Sequence, residues 1–304
     1  MVHGTHNAKH DDRNEHIYIY VNGSYFKRNE AKISVFDSGY LVGDGIWEGI
    51  RLTAGRLVFL EEHLNRLWQA AKSTSITLPF SKKELTSIIY QTTEKNNMED
   101  GVHVRIMITR GIKKTPSQDP RLTISGPNVV IIPEFKMADE SSKDTGLTLF
   151  TSTIRRGSPD YLDPKLNCHS KLHEVQALIQ AIEAGADEAL MLDIHGFVST
   201  CNSTNFFMVK NGTVITATDQ YCMNGITRKK IIEICNENQI PILEKNFSLY
   251  DVYDSDECFV TGTFAGLSPV NSIDGRWIEN KSNTKISATL SALYKKKISS
   301  YVKN

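Results

Sequence analysis

The sequence predicts a two-domain α/β protein, and three observations carry that reading. With 304 residues and 40% hydrophobic content, the chain can bury one large core or two medium ones. Segments of strand-like alternation interleave with segments of helical spacing in both halves. Between those halves, Lys136 to Asp144 reads KMADESSKD, polar and without periodicity. The organisation read from this is a flexible arm over 1–16, a smaller N-terminal α/β domain over 17–138, a linker over 139–146 and a larger C-terminal α/β domain over 147–304.

The first sixteen residues, MVHGTHNAKHDDRNEH, are polar and lack the apolar core of a signal peptide, so ordered structure is expected to begin at Ile17. IYIYVNGSYFKR reads as two strands joined through Asn22-Gly23, a dipeptide that accepts the positive φ of a tight hairpin. RLTAGRLVFL repeats the pattern around Gly55. Glu61 to Ser75 carries Leu64, Leu67, Trp68 and Ala71 at helical spacing, and a second helix follows near Lys82 to Lys95. Strands are expected at Val102 to Arg110 and Asn128 to Phe135. In the second half LTLFTSTI reads as a strand and Ser170 to Ala184 as a helix with Leu172, Val175, Leu178, Ile179 and Ile182 on one face, closed by Gly185. Strands then alternate with turns at His195-Gly196 and Asn211-Gly212. A helix from about Thr227, a strand near Glu257 to Thr261 and a helix from about Thr284 complete the chain.

The 35 basic and 35 acidic side chains create no overall field toward nucleic acid or membrane, so a small neutral or zwitterionic partner fits better. The five cysteines, Cys168, Cys201, Cys222, Cys235 and Cys258, are odd in number and form no metal-type pair, which argues against a disulfide framework and a zinc site. No metal is expected, and reduced thiols point to the cytoplasm. No apolar run is long enough to span a bilayer.

Three motifs can hold an anion. EEHLNRL places His63 and Arg66 on one helix face, and the planar guanidinium of Arg66 can hold a phosphate through two parallel hydrogen bonds. NGITRKKIIEI puts Gly225 in a turn before a helix, so the N–H groups of Ile226 and Thr227 and the Thr227 hydroxyl can point at an anion. Arg228, Lys229 and Lys230 crowd that first turn against the helix dipole, and either an anion offsets the cost or they splay into solvent. FVTGTFAGLSPV ends a strand in Thr261, Gly262 and Thr263, small residues that let a phosphate approach the backbone.

Together with VFDSGYLVGDGIWEGIR, these stretches resemble the fold type IV pyridoxal-phosphate enzymes, which include branched-chain and D-amino acid aminotransferases and aminodeoxychorismate lyases. The resemblance runs from Ile17 onward. It implies a two-domain fold type IV architecture, pyridoxal 5′-phosphate as cofactor, and a phosphate held by Arg66, by the Gly225-Ile226-Thr227 turn and by the Gly262-Thr263 loop. It also implies amino acid and keto acid substrates and a homodimer or larger assembly.

Two positions depart from the family. Counting back from GADEALMLD, the Schiff-base lysine should fall at Asn167, in DPKLNCHSKLHE. Lys171 stands four residues on, about where many relatives carry a tyrosine beside the reactive carbon, and it is the expected replacement, ahead of Lys165. With Ser170 as helix N-cap, Lys171 would lie in the first turn, where the dipole disfavours positive charge. In VSTCNSTNFF, Thr200 takes the place of the glutamate that pairs with the cofactor's ring nitrogen, and Asn205 matches the asparagine of the same pattern. A hydroxyl keeps that nitrogen protonated less well than a carboxylate.

Arg51, Arg110, Arg121 and the pair Arg155-Arg156 could each bind a substrate carboxylate. Tyr40 and Trp47 lie near the pocket by resemblance, and Phe264 replaces a smaller residue of many relatives. The resulting reading is an aminotransferase, with an eliminating lyase and a catalytically silent cofactor-binding protein as alternatives.

Overall fold

The computed structural model describes residues 4, 5, 8, 10–138, 145–279 and 285–303. Residues 139–144 of the expected linker lie outside that set. The chain divides into two compact units that do not follow a simple linear split. Lys9–Met137 with Leu166–Lys171 forms one, and Met1–Ala8, Ala138–Lys165 and Leu172–Asn304 form the other. Each unit borrows a short segment from the far side of the sequence boundary, because those segments find backbone partners there.

In the first unit the elements are β1 (Tyr18–Val21), β2 (Ser24–Lys27), α1 (Ser38–Val42), β3 (Gly45–Thr53), β4 (Arg56–Leu57), α2 (Leu60–Ser73), α3 (Lys82–Glu94), β5 (Val102–Thr109) and β6 (Asn128–Phe135). They make one sheet in the order β2-β1-β6-β5-β3-β4, with the sequential pairs antiparallel. The β1–β2 hairpin turns through Asn22 at φ 48° and Gly23 at φ 95°, the conformation its sequence predicts. Alternation divides β3: Ile46, Glu48, Ile50 and Leu52 point into a core shared with Leu64, Leu67, Leu85 and Ile89 of the helices, while Trp47 and Arg51 take the opposite face.

Residues 166–170 run beside the start of β3. Trp47 N donates to Asn167 O at 3.0 Å and His169 N to Gly45 O at 2.9 Å, and Cys168 bridges Ile46. That pairing places the segment in the first unit.

The second unit contains β7 (Leu147–Thr151), α4 (Leu172–Glu183), β8 (Glu188–Leu192), β9 (Val198–Cys201), β10 (Asn205–Lys210), β11 (Thr213–Thr216), α5 (Ile226–Glu237), β12 (Ile242–Glu244), α6 (Leu249–Tyr253), β13 (Glu257–Gly262), β14 (Gly266–Ile273), β15 (Arg276–Trp277) and α7 (Ile286–Lys303). Its sheet runs β12-β11-β10-β13-β14-β7-β8-β9, with β15 on β14. The central β7 is parallel to both β14 and β8, and its Leu147 and Leu149 are buried while Thr148 and Phe150 between and after them are only partly so. One face carries a core of Leu147, Leu190, Phe206, Met208 and Val260. Phe207 and Phe259 stack at 4.9 Å across the β10–β13 pair.

Three expectations change. The N-terminal arm is ordered where it is described: Asp12–His16 is a 3-10 helix capped by Asp11, and the Asn14 side chain both donates to and accepts from the Phe135 backbone at 2.8 Å. Thr5 donates from its amide and hydroxyl to buried Glu188. Short polar side chains look like arm residues in sequence, yet they suit capping of strand edges and buried carboxylates. The apolar stripe on α4 is also not core. Leu172, Val175, Ile179 and Ile182 are 70%, 50%, 48% and 48% exposed. The helix packs instead by Ala177 and Ala181 onto Ala189 and Met191, because small residues allow the closest approach to the sheet. Finally, α4 begins at Leu172, so Lys171 flanks the helix and Ser170 donates its hydroxyl to Gly43 O at 3.3 Å rather than capping. Among the described residues, no helix is long and apolar enough to cross a membrane.

Candidate active site

The residues singled out in sequence fall into two sets, each described within its own unit. In the second unit, Gly225 is the N-cap of α5 and supplies no side-chain cap, so the first-turn amides of Ile226 and Thr227 are left for another acceptor. Ile226 and Thr227 are buried, with the Thr227 hydroxyl 3.4 Å from Tyr294 Oη. A Cβ at position 225 would collide with Asn205 Oδ1, so any larger residue there would have to displace the Asn205 side chain. Asn205 donates Nδ2 to Met223 O at 2.9 Å, which ties the turn to β10. Asn205 pairs across the sheet with Thr261, whose buried hydroxyl has no hydrogen-bond partner. Gly262 and half-buried Thr263 follow at the end of that strand.

An uncapped helix start with free first-turn amides and a glycine held against Asn205 fit a phosphate such as that of pyridoxal phosphate. The cations of the first turn are not part of it. Arg228 is buried on Glu244 (2.6 Å) and Ala217 O (2.7 Å), and Lys230 pairs with Glu233 (3.1 Å).

Thr200 is buried on β9, and its hydroxyl donates to Thr204 O at 2.7 Å. Thr204 in turn donates its own hydroxyl to Glu188 Oε2 at 2.8 Å. Burial pushes Glu188 above its ordinary value, although hydrogen bonds from Thr5 and Thr204 oppose that rise. With its proton committed to a carbonyl, Thr200 offers a ring nitrogen lone pairs only.

In the first unit, Arg66 on α2 forms a two-point pair with Glu48, Nε to Oε1 at 2.7 Å and Nη2 to Oε2 at 2.9 Å. His63 Nδ1 meets the same carboxylate at 2.7 Å. Burial pushes Glu48 up, but the charge and hydrogen bonds of Arg66 and the hydrogen bond from His63 outweigh it and hold the carboxyl below its ordinary value. Burial likewise lowers His63, leaving it a neutral donor to Glu48.

Asn167, where the resemblance leads one to expect the lysine, is 2% exposed and donates Nδ2 to Trp47 O at 2.8 Å. An asparagine carries no amine for a covalent anchor. Lys171 and Lys165 are both half-buried.

Of the carboxylate-binding candidates, Arg110 is held by Asp44 at 2.6 and 3.0 Å, and Arg156 is buried on Glu174 at 2.7 Å. Arg155 donates to Ser152 O, and Arg121 is an exposed loop pair with Asp119. Arg51 donates to Lys136 O at 2.6 Å. Tyr40 is 72% exposed on α1. Local acids and carbonyls thus satisfy most of these arginines, and a linear reading cannot see that.

Arg105 was missed. Half-buried on β5, it lies 4.3 Å over the Trp47 ring and has no hydrogen bond or ion pair among the described residues. Burial pushes it below its ordinary value, and Glu134 only partly offsets this. A lone arginine in the apolar run VHVRIMIT was the available signal.

The family model for amino-transferase class IV matches residues 45–273. The chain belongs to that family. It is 38% identical over 278 residues to the "Putative branched-chain-amino-acid aminotransferase" of Methanocaldococcus jannaschii, covering 91% of this chain and 95% of that protein. It is 37% identical to "Branched-chain-amino-acid aminotransferase-like protein 2" of Arabidopsis thaliana over 93% of this chain, but spans only 50% of that relative, about half its length. Among solved structures, a T.th. branched-chain amino acid aminotransferase with pyridoxamine 5′-phosphate superposes with a TM-score of 0.86 at 27% identity, covering 93% of this chain and 94% of that one. The two-sheet α/β architecture is therefore that of the fold type IV aminotransferases.

The Glu48 triad carries a pH prediction. A lowered carboxyl stabilises the fold fully above its ordinary value of 4.5, and the contribution is lost as pH falls through the lowered value. Glu48→Gln, by leaving Arg66 without its buried partner, should destabilise the first unit by about 3–5 kcal/mol at pH 7. Denaturant unfolding monitored at Trp47 and Trp68 should show the gap to wild type closing as pH drops below 4.5. A gap independent of pH would refute the assignment.

Proposed function

We propose that this chain is a pyridoxal-phosphate-dependent aminotransferase that moves an amino group between an amino acid or amine and a 2-keto acid. The observation that carries the reading is the phosphate-binding end of the second unit: uncapped α5 and Gly225 locked by Asn205. The Ile226 and Thr227 amides, the Thr227 and Thr263 hydroxyls and Gly262 would hold the phosphate; the family resemblance also assigns Arg66 to it, and Glu48 fixes that guanidinium within its own unit. When bound, the cofactor supplies a carbonyl that takes up the amino group and a ring that withdraws electrons from the substrate's α-carbon.

Lys171 is the chain's amine for attaching the cofactor, and its Nζ takes the α-proton and returns it. Thr200 accepts a hydrogen bond from the ring nitrogen. A hydroxyl that cannot donate there gives the elimination reading no added support. Arg105, stacked on Trp47 and in no ion pair among the described residues, receives the substrate carboxylate.

The exposed stripe of α4, Leu172, Val175, Ile179 and Ile182, supports a homodimer, since contiguous apolar surface of this kind is normally covered. Five buried, unpaired thiols support a cytoplasmic enzyme, which cell fractionation checks.

Borohydride reduction with pyridoxal phosphate, followed by peptide mass spectrometry, should place the adduct on Lys171, and Lys171→Ala should lower turnover about 10²–10⁴-fold. An adduct on Lys165 would move the anchor, and bound cofactor without any adduct would favour a silent binder. Arg105→Leu should raise KM for amino acids on the order of 10-fold or more, while neutral amines are unaffected. Equal effects on both would remove Arg105 from the substrate site. Light scattering should give twice the chain mass, falling to one chain for Ile179→Asp; an unchanged mass would place the interface elsewhere.

A further inference from the structure

Residues 202–204 join β9 to β10, and β8 holds that loop at both ends. Asn202 donates its amide to Ala189 O at 3.0 Å and accepts at Oδ1 from Ala189 N at 2.8 Å, which secures the first loop residue. Thr204, the last, donates its hydroxyl to Glu188 Oε2 at 2.8 Å, while its carbonyl accepts from Thr200 Oγ1 at 2.7 Å and Cys201 N at 2.9 Å. Asn205 comes next. Its side chain donates to Met223 O at 2.9 Å and lies against Gly225, so the place of Thr204 sets where the turn before α5 is held.

Glu188 is 2% exposed, and its other oxygen belongs to a residue far off in sequence. Oε1 accepts both the amide of Thr5, at 3.0 Å, and the Thr5 hydroxyl, and Thr5 is itself buried. A carboxylate sealed from water keeps its charge only while donors saturate it. Burial pushes Glu188 above its ordinary value of 4.5, and the hydrogen bonds of Thr5 and Thr204 oppose the rise. Its ionisable neighbours are Asp187, whose charge raises it further, and the protonated Cys201 thiol, and neither supplies a positive charge that could stand in for Thr5. Without the Thr5 hydroxyl the carboxyl takes up a proton more readily, and a neutral carboxyl is the weaker acceptor for Thr204.

From this we infer that Thr5 is a positioning residue for the phosphate turn: its hydroxyl holds Glu188, Glu188 holds Thr204, and the adjoining Asn205 keeps the turn before α5 in place. All of these residues belong to the second unit. The inference rests on the reading that this turn takes a phosphate.

Thr5→Val removes the hydroxyl at nearly constant volume and keeps the amide. Hydrogen exchange of the ligand-free full chain, read by mass spectrometry, should rise about fivefold in peptides covering 203–206 and 218–229, the difference between a charge-assisted and a neutral hydrogen bond. Peptides of β13 and β14 should stay at wild-type rates. In titrations, the Kd for pyridoxal 5′-phosphate should rise by about the same fivefold, while that for pyridoxal, which has no phosphate, stays within about twofold. The acid limb of the phosphate compound's affinity should move to higher pH in Thr5→Val, because the carboxyl protonates earlier as pH falls. Thr5→Ser keeps both donors and should restore all three readouts, and Thr204→Val, which cuts the same chain from the other side, should reproduce the faster exchange. A uniform rise in exchange across the unit, unchanged exchange at 218–229, an equal loss for both compounds or an unmoved acid limb overturns the inference. A wild-type preference for pyridoxal phosphate untouched by Thr5→Val overturns it alone, whereas a wild type that does not prefer the phosphorylated compound overturns the phosphate reading and the inference with it.

Discussion

An ionised carboxylate inside the apolar core of the first unit sets most of what surrounds it. Glu48 is 1% exposed, and its two oxygens accept from Arg66 and His63 one turn apart on α2. Desolvating that charge is tolerable only with this geometry kept intact, so α2 cannot rotate or slide on β3 without exposing an unpaired charge. The strand's alternation then does a second job. One residue earlier, Trp47 faces the other way, binds residues 167 and 168 through its backbone and indole, and carries Arg105 over its ring. A single strand thus fixes the orientation of Arg66 on one side and the position of Asn167 and Arg105 on the other.

The second unit has a comparable centre at Glu188. Its carboxyl gathers donors from Thr5 at the beginning of the chain and from Thr204 in the loop after β9. Thr204 also accepts from the Thr200 hydroxyl and the Cys201 amide. The loop that holds Thr200 of β9 through Thr204 O therefore hangs from a buried acid on β8, and Thr5, nearly two hundred residues away in sequence, completes that acid's hydrogen bonding. Burial also keeps Cys201 well above its ordinary value, so the neighbouring thiol is protonated and inert.

Asn167 and Thr200, the two expected departures from the family pattern, are both neutral side chains whose donor is tied to a backbone carbonyl, Asn167 to Trp47 O and Thr200 to Thr204 O. Of the basic side chains assigned to the proposed site, Lys171 flanks α4, Arg66 pairs with Glu48 and Arg105 stacks on Trp47.

Local rules sufficed for much of this. Asn22-Gly23 dictates its hairpin because positive φ is cheap there, and Gly225 before an apolar-spaced run dictates a helix start with free amides. That Asn stands at 167 and Thr at 200 is read directly from the linear sequence. Tertiary structure decided which side chains are already spoken for. Arg110, Arg121 and Arg156 look equivalent to Arg105 in sequence, but Asp44, Asp119 and Glu174 form ion pairs with the first three, whereas among the described residues Arg105 forms none and feels only the charge of Glu134. The stripe on α4 looks like core, yet Ala177 and Ala181 take the buried face. Propensity and capping act over a few residues and so can be read along the chain. Pairing of charges and competition for burial join residues tens to hundreds of positions apart, and only the folded chain brings them together.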